Sequence, residues 1–424
     1  MSSDQTIKTE GADPAPEGID RRKFLAGTAA VSIAVTVPGL LACNDTSAEA
    51  VPPKVEEKQP DPPKAAEKPA VEEKPAAEAD KNKPPVEEVP PAEPVQEKSF
   101  PMKAPGKLVQ VTHPGATTDI KKTDEAIVAK MVEEALKKLT GEADGVKAIG
   151  RFIKKEDIVG IKVNCLGSPY ASVHPATAYA LAELVHKLGV AKKDIIIYDQ
   201  YGSRMQKAGF KTLPKDAKDP VDKFPVHFHE TMGYETERVD LGGFNKNNDK
   251  PYSSQLPKVL ARFTAVINVC VPKDHDLTGV TGALKNVSYG NVERVPIYHC
   301  KPDCNPTCVH GGMCNVSRIY KHEKMGGLVR LVVCDALRVL FQGGPQDNMT
   351  FKAAHNAILA STDPVAIDRA ILTIVDEYRA TRKLKPIAED QGGRRAARFI
   401  EAGEKLGLGV SDLAKIKWEK HTMG

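Results

Sequence analysis

Aromatic residues are scarce in this chain of 424 residues, and one long stretch has none. No Phe, Tyr or Trp occurs between Phe24 and Phe100, and residues 51–100 contain 12 Pro, 10 Glu, 2 Asp and 8 Lys. A stretch of this composition cannot bury enough apolar surface to offset the chain entropy lost on folding, which excludes a packed domain there. We therefore predict a disordered tether over residues 44–105 and a single folded domain over residues 106–424.

The chain also lacks the glycine-rich patterns of nucleotide-binding sites. It contains no Gly-x-Gly-x-x-Gly sequence, no P-loop sequence and no internal repeat. These patterns mark dinucleotide sites, nucleoside triphosphate sites and repeat architectures. The sequence therefore gives no support for any of those three classes.

Acidic residues are outnumbered in the predicted domain. The whole chain has a net charge of +4, but residues 101–424 contain 48 Lys and Arg against 37 Asp and Glu. Such an excess suits an anionic ligand or surface, and the alternative is a solvated lysine-rich surface. We expect a small anionic molecule or a cell-wall component as the partner, and no nucleic acid.

Paired arginines precede an apolar run near the start of the chain. Arg21 and Arg22 stand directly before the run Phe24–Ala42, which ends in Leu-Leu-Ala just before Cys43. This pattern resembles a twin-arginine export signal closed by a lipobox, and it implies cleavage before Cys43 and lipidation of its thiol. Residues 1–43 are thus predicted to be a twin-arginine lipoprotein signal. The alternative is an uncleaved transmembrane helix.

The resemblance to this signal class also predicts partners and location. It implies the twin-arginine export machinery as one partner and a lipid anchor in a membrane as the other contact. The folded domain is then expected to be membrane-anchored, on the periplasmic side or at the cell surface. Proteins of this class cross the membrane folded, often because a cofactor has already been inserted, and this strengthens the expectation of a cofactor.

The predicted domain alternates apolar strands with amphipathic helices. Strands are predicted at residues 108–112, 157–163, 194–199, 265–269, 328–333 and 357–360. Helices are predicted at residues 124–139, 174–188 and 363–379. This order indicates an α/β fold with a mainly parallel sheet and helices on both faces, preceded by the disordered N-terminal tether. Ligands in such folds bind beyond the carboxyl ends of the strands.

Basic and amide side chains lie at or just beyond those strand ends. They are Lys162, Asn164, Lys273, His275, Lys285 and Asn286. Three lysines and a histidine at one sheet edge would bind phosphate or carboxylate, and His275 could move protons near neutral pH. A helix predicted to begin at Thr278-Gly279 would add free backbone N–H groups. The alternative is that Lys285 and Asn286 cap a helix and that His275 is a structural hydrogen-bonding residue.

These residues are assigned separate roles. Lys273, His275 and Lys285 are candidate catalytic residues, together with Asp335, which directly follows a predicted strand and could meet a metal or a lysine. The candidate ligand-binding residues are Lys162, Asn164 and Asn286.

Two further patterns carry polar side chains for which a structural role is preferred. Asp363, which stands before Pro364, is predicted to cap a helix. His227 and His229 flank a phenylalanine, which predicts a strand with both rings on one face, and a solvated edge is favoured over a pair of ligands.

Four cysteines cluster in a Cys-rich insert at residues 299–314. They are Cys300, Cys304, Cys308 and Cys314. Their spacing could wrap an iron–sulfur cluster or a zinc ion, and in an oxidising compartment the same four residues could form two disulfides. The possible cofactors are therefore an iron–sulfur cluster, zinc or none.

Three other cysteines lie in or just after predicted strands. Cys165 and Cys270 could face each other at the sheet edge as a disulfide, a redox pair or extra ligands, and the favoured alternative is two separate, half-buried thiols. Cys334 lies within an apolar strand and is predicted to belong to the core.

Several strand-end motifs together resemble one known family. They are Gly160–Asn164, Ile267–Asn286, Cys334–Arg338 with Gly343–Pro345, and Ala360–Asp368. In this order they resemble the domain of unknown function 362, a family that is sometimes fused to iron–sulfur modules. The resemblance covers most of residues 150–380 and implies a fold class but no settled reaction. This chain departs from the pattern at Cys270 and in the Cys-rich insert, and it lacks the Cys-x-x-Cys-x-x-Cys spacing of a fused ferredoxin-like module.

Three functions fit these observations. The first is an exported redox or metal-dependent enzyme that acts on an anionic ligand, with an iron–sulfur cluster in the Cys-rich insert. The second is a non-enzymatic binding protein whose insert is held by disulfides. The third is a zinc-containing hydrolase.

Overall fold

The computed structural model describes residues 99–245, 247–248, 250–299 and 312–424, with side chains described from residue 315 onward in the last range. All of them fall within one structural unit, Pro91–Gly424. The predicted export signal with Cys43, and most of the predicted tether, lie outside the described residues. So do the side chains of Cys300, Cys304, Cys308 and Cys314.

The described residues form twelve strands and ten α-helices. The strands are β1 (Lys107–Thr112), β2 (Val159–Lys162), β3 (Ile195–Asp199), β4 (Val226–Phe228), β5 (Tyr234–Val239), β6 (Ser254–Pro257), β7 (Ala265–Cys270), β8 (Lys273–His275), β9 (Gly279–Thr281), β10 (Val329–Leu340), β11 (Lys352–Ser361) and β12 (Lys417–Thr422). The helices are α1 (Glu125–Thr140), α2 (Gly145–Ile149), α3 (Pro175–Lys187), α4 (Gly202–Lys207), α5 (His229–Met232), α6 (Ala283–Ser288), α7 (Val295–Tyr298), α8 (Gly312–Lys321), α9 (Pro364–Thr381) and α10 (Phe399–Lys405).

One large sheet organises these elements in the described part of the chain. Its strand order is β12-β1-β11-β10-β7-β2-β3-β4, and the short hairpin of β8 and β9 extends from β10. The five strands from β10 to β4 are parallel, and β11 is antiparallel to both of its neighbours. A separate antiparallel pair is formed by β5 and β6. The prediction of a mainly parallel α/β sheet is confirmed.

Both faces of the sheet are covered by helices. Along β3, Ile195 and Ile197 point into the core shared with α1 and α3, whereas Ile196 and Tyr198 point into the core shared with α6, α8, α9 and α10. A strand that is buried on both sides needs apolar residues at nearly every position, which explains the continuous apolar runs in the sequence. Within the described ranges, no helix is both long and apolar enough to cross a membrane.

The starts of the predicted helices are set by side-chain caps. The carboxylate of Asp124 accepts a hydrogen bond from the Ile127 N–H at 2.9 Å, and α1 begins at the next residue. Asp363 likewise accepts from the Ala366 N–H at 2.8 Å at the start of α9. The predicted capping role of Asp363 is confirmed.

The order of strands reverses between β2 and β7. From β2 the chain proceeds outward to β3 and β4, and from β7 it proceeds in the other direction to β10. The connections on the two sides of this point leave in opposite directions, so a crevice opens beyond the carboxyl ends of β2 and β7. The candidate site lies in this crevice.

Candidate functional site

Six of the predicted site residues meet at this reversal of strand order. Five of them line one cavity of about 80 Å³, and these are Lys162, Asn164, His275, Lys285 and Asn286. The sixth, Lys273, is buried behind Asn164 and is hydrogen-bonded to it. The cavity has room for a few water molecules or one small anion. We call it the switch-point cavity.

Lys162 reaches the cavity because successive side chains of β2 point to opposite faces of the sheet. Val159 and Ile161 point into the core on the α1 side, so Lys162 points to the opposite face, toward α6. Its ammonium donates to Asp199 Oδ1 at 2.6 Å, to the Val163 carbonyl at 2.8 Å and to Asn286 Oδ1 at 3.2 Å. Although burial acts in the opposite direction, this ammonium holds the pKa of Asp199 below its ordinary value.

Asn286 ties three elements together at the floor of the cavity. It lies on α6, and its amide nitrogen donates to Asn268 Oδ1 at 2.8 Å and to the Val269 carbonyl at 3.1 Å, both on β7. Its amide oxygen accepts from Lys162 and, at 3.3 Å, from the Asn164 amide. The side chain therefore does more than cap a helix, because it fixes α6 against the ends of β2 and β7.

Lys273 is a buried lysine held by uncharged oxygens. Its ammonium donates to Asn164 Oδ1 at 2.8 Å, to the Ala171 carbonyl at 3.2 Å and to the Leu166 carbonyl. Burial lowers its pKa to about 7. Near neutral pH a large share of this amine is therefore neutral, whereas a surface lysine stays almost fully protonated.

Lys285 lines the cavity from α6 and has few partners. Its side chain is buried, and its Nζ donates to Thr278 Oγ1 at 2.9 Å and lies 5.6 Å from the centre of the Tyr289 ring. Burial lowers its pKa well below the ordinary value. The nearby Asp276 carboxylate opposes this shift, and Lys273 adds to it. The predicted alternative, a lysine that caps a helix at the surface, does not describe this side chain.

Two histidine rings form one wall of the cavity. His275 and His299 stack with their ring centres 5.5 Å apart, and Tyr289 meets the His299 ring edge-on at 4.8 Å. Burial, reinforced by Lys285, lowers the pKa of His275 to about 3 and that of His299 to about 2. Both rings are therefore neutral at pH 7, and a neutral imidazole can accept or relay a proton.

The hydrogen bonds of these rings differ. His275 Nδ1 lies 3.1 Å from the Leu277 N–H and 3.1 Å from the Asp276 carboxylate. His299 Nδ1 lies 3.2 Å from the Val295 carbonyl, and its Nε2 is buried without a partner among the described residues.

The prediction of a helix beginning at Thr278-Gly279 is wrong. Gly279–Thr281 forms β9, and α6 begins at Ala283. The first N–H groups of α6 donate to the carboxylate of Asp368, with Leu284 N at 3.0 Å from Oδ2. These N–H groups are therefore already satisfied and do not form an anion site. A Cβ atom on Gly282 would collide with the same carboxylate, so glycine is required at this close approach.

Asp335 does not join the cluster. The strand predicted to end at residue 333 continues to Leu340, so Asp335 lies inside β10. Its carboxylate accepts from the His174 N–H at 2.8 Å and from Thr177 Oγ1 at 2.9 Å, at the start of α3. It thus anchors a helix on the other face of the sheet and contacts neither a lysine nor the switch-point cavity.

The three strand cysteines are all buried and free, and they are not arranged as a rim pair. Cys165 belongs to the core on the α1 side, whereas Cys270 belongs to the core on the α6 side. The favoured prediction of two separate thiols is confirmed, because the sheet separates them, and the alternative pairing is wrong. Both thiols are fully buried and not half-buried as predicted. Cys270 lies beside Cys334 in the register of β7 and β10, and the prediction that Cys334 is a core residue is confirmed.

His227 and His229 do not share a solvated strand face. His227 Nε2 lies 2.6 Å from the Asp219 carboxylate. The strand ends at Phe228 and α5 begins at His229, which breaks the alternation. The side chain of His229 is fully buried, and neither ring nitrogen has a partner among the described residues.

Sequence reasoning missed three residues that line the cavity. Asp199 ends β3, and Arg204 lies on α4 just after it, with its guanidinium 4.3 Å from the centre of the Tyr201 ring. The rule that polar residues at strand ends mark the site could have found Asp199. His299 was noted only as part of the Cys-rich insert, yet its ring lines the cavity directly before Cys300.

No group of three His, Cys, Asp or Glu side chains within the described part of the chain is placed to hold a metal ion. The four cysteines of the insert are outside the side chains to which this statement applies.

Fold and site together define an α/β protein with a cationic cavity at the reversal of its strand order. The chain belongs to the family described as Domain of unknown function (DUF362), whose model matches residues 159–373. The family resemblance inferred from the strand-end motifs is thereby confirmed. The matched range contains every described residue that lines the switch-point cavity.

Individual proteins resemble this chain less clearly than the family does. No curated protein sequence matches the chain. Among solved structures, the lactate racemase apoprotein from Thermoanaerobacterium thermosaccharolyticum is similar over 64% of this chain, with 12% sequence identity and a TM-score of 0.36. The chain spans 57% of the length of that protein.

Proposed function

We propose that this protein is an exported, membrane-anchored enzyme and that it binds a small anion in its switch-point cavity. The carrying observation is an imbalance of charge. Lys162 and Arg204 line the cavity as cations, whereas Asp199, its one carboxylate among the described residues, is already engaged by Lys162, so the charge of Arg204 is left over. An anion in the cavity would compensate the remaining positive charge.

The chemistry available in the cavity is proton transfer. Lys273, with a pKa of about 7, can hold or release a proton near neutral pH, and the neutral rings of His275 and His299 can pass a proton on through their hydrogen bonds. Such a set exceeds what is needed to hold an anion. It therefore favours an enzyme over a binding protein.

The four cysteines of the insert support a metal-containing group as a cofactor. Its donor set of four thiols is that of an iron–sulfur cluster or a zinc ion, and Cys300, Cys304, Cys308 and Cys314 would hold the group. The insert follows His299 directly, and the His299 ring lines the cavity. When bound, a cluster would supply electron transfer, and zinc would supply Lewis acidity.

Two other functions remain candidates. A non-enzymatic binding protein is favoured by the small volume of the cavity, about 80 Å³, which suits capture of a small anion. A zinc-containing hydrolase would use the same thiols. Two measurements on protein purified without oxygen separate an iron–sulfur cluster from zinc and from disulfides. They are analysis of bound metal and sulfide, and absorbance at about 400 nm.

The anion site is tested with a pair of variants on one helix. Arg204→Gln removes a cavity-lining cation from α4, and Lys207→Gln removes an exposed cation from the same helix. We expect phosphate or acetate to raise the melting temperature of the wild-type protein and of Lys207→Gln. For Arg204→Gln we expect anion affinity to fall by about 1.5–3 kcal/mol, the scale of a hydrogen bond to a charged group. The proposal fails if no anion stabilises the wild type, or if both variants bind anions equally.

Export and anchoring are tested separately in cells. Replacing Arg21 and Arg22 together with lysine should leave the precursor in the cytoplasm, because the paired guanidinium groups are what this signal class presents. Replacing Cys43 with serine should abolish incorporation of labelled fatty acid. Cell fractionation and lipid labelling measure the two outcomes. A Cys43→Ser protein that still carries the label would show that Cys43 is not the anchored residue.

A further inference from the structure

The three lysines of the site differ in how completely their amino groups are bonded. Lys162 has three oxygen acceptors, and one of them is the Asp199 carboxylate. Lys273 also has three, all uncharged. Lys285 has a single one among the described residues, Thr278 Oγ1. It also lines the cavity, so its amino group can meet a ligand there.

The surroundings of Lys285 suit an uncharged amine. No carboxylate of the described residues forms an ion pair with its Nζ. The Asp276 carboxylate and the Tyr289 ring, 5.6 Å away, favour the charged form, but burial outweighs them. Burial shifts the pKa of this amine well below its ordinary value. A lysine amine is a nucleophile only when it is neutral, and desolvation beside another cationic group is a recognised way to reach that state. Lys273 is the neighbouring cationic group.

We propose that Lys285 forms an imine with a small carbonyl-containing anion of the 2-oxo acid class, whose carboxylate is held by Arg204. This inference rests on the anion site proposed above and names the substrate class of that site. Arg204 lines the same cavity, and a guanidinium binds a carboxylate through two parallel hydrogen bonds. The volume of about 80 Å³ suits a small substrate.

The covalent step is balanced with groups that the site contains. The lone pair of Lys285 Nζ attacks the carbonyl carbon, and the electrons of the C=O double bond move to oxygen. One of the amine protons passes to that oxygen, which gives a carbinolamine. Loss of the hydroxyl group with a second proton then forms the C=N bond and releases one water molecule. The neutral ring of His275, on the wall of the cavity, can relay these protons.

The test is reductive trapping on the full-length protein. The protein is incubated at pH 7 with glyoxylate and sodium cyanoborohydride, which reduces an imine to a stable secondary amine and leaves one carboxymethyl group. Intact-protein mass spectrometry counts the groups, and peptide mapping locates them. We expect Lys285 to be modified at least ~100-fold faster than exposed lysines, because an ordinary pKa near 10.4 leaves only about one amine in two thousand neutral at this pH.

Controls distinguish this step from simple anion binding. Lys162 and Lys273 are buried internal controls and should stay unmodified, phosphate should slow the labelling of Lys285, and Lys285→Arg should lose the fast phase. Label spread over exposed lysines, or confined to Lys273, overturns the proposal. If phosphate stabilises the protein but Lys285 is not trapped, the imine is wrong and the anion site stands. If Lys285 is trapped without any stabilisation by phosphate, the imine stands and the general anion site falls.

Discussion

Replacing Asp199 with alanine is expected to lower the free energy of unfolding by about 3–5 kcal/mol, the cost of breaking a buried ion pair by removing one partner. The Lys162 ammonium would lose an acceptor at 2.6 Å while its side chain stays 1% exposed. The Cys165 N–H would also lose its acceptor, Asp199 Oδ2, at 2.7 Å. The loss of stability arises because the charge of Lys162 is left buried and unpaired. Removing Lys162 as well should therefore restore part of the free energy of unfolding.

Urea denaturation of the wild type and Asp199→Ala measures the predicted loss. The coupling is measured on four proteins: the wild type, Asp199→Asn, Lys162→Met and the double variant of the last two changes. Asparagine is the matched replacement, because it keeps the shape and an acceptor for Cys165. We expect each single change to destabilise the protein and the double variant to be less destabilised than the sum, by about 0.5–3 kcal/mol. Strict additivity would mean that Lys162 and Asp199 do not stabilise each other in the folded protein.

The positions of the main site residues could be predicted from strand ends alone. Lys162 ends β2 and Asn164 follows it, and Lys273 and His275 lie in β8, shortly after the end of β7. Parallel strands end at the same edge of a sheet, so knowing where each apolar run ends is enough to bring these residues together. The prediction needed no knowledge of strand order, although the order decides that β2 and β7 are neighbours.

The wrong assignments share a physical cause. A side chain's partner comes from a distant part of the chain, which local pattern does not show. Asp335 was assigned to the rim because the apolar run before it ends at residue 333, yet β11 pairs with β10 beyond that point and prolongs the strand. The helix expected at Thr278 begins instead at Ala283, where Asp368, 85 residues later in the sequence, supplies the cap.

Local alternation also failed at His229. The sequence His-Phe-His reads as a strand in which both rings share a face, and that holds only if the strand continues. In the structure β4 ends at Phe228, so His229 turns into the core between Tyr198 and Tyr234, at ring-centre distances of 6.2 Å and 5.9 Å. A polar ring with no hydrogen-bond partner in the described part of the chain is costly there, and this cost depends on pH.

Acid should destabilise the protein through His229, and replacing this residue with phenylalanine should remove that part of the effect. Burial, with Lys162 nearby, lowers the pKa of His229 to about 3 in the folded protein, whereas an unfolded histidine has a pKa near 6.5. Between these values the unfolded chain binds more protons than the folded one. The free energy of unfolding therefore falls as pH falls, by about 1.4 kcal/mol per pH unit for this one group.

The decisive quantity is the difference in the free energy of unfolding between the wild type and His229→Phe, measured as a function of pH. Other titrating groups, such as Asp368, whose pKa burial raises to about 7, contribute equally to both proteins and cancel. Phenylalanine fills the space between the two tyrosine rings and does not titrate. From pH 7.5 to pH 5 the variant should gain about 2 kcal/mol relative to the wild type, measured by urea denaturation at each pH. A constant difference across this range would mean that the folded protein protonates His229 as readily as the unfolded chain does, which a buried ring without an acidic partner could not do.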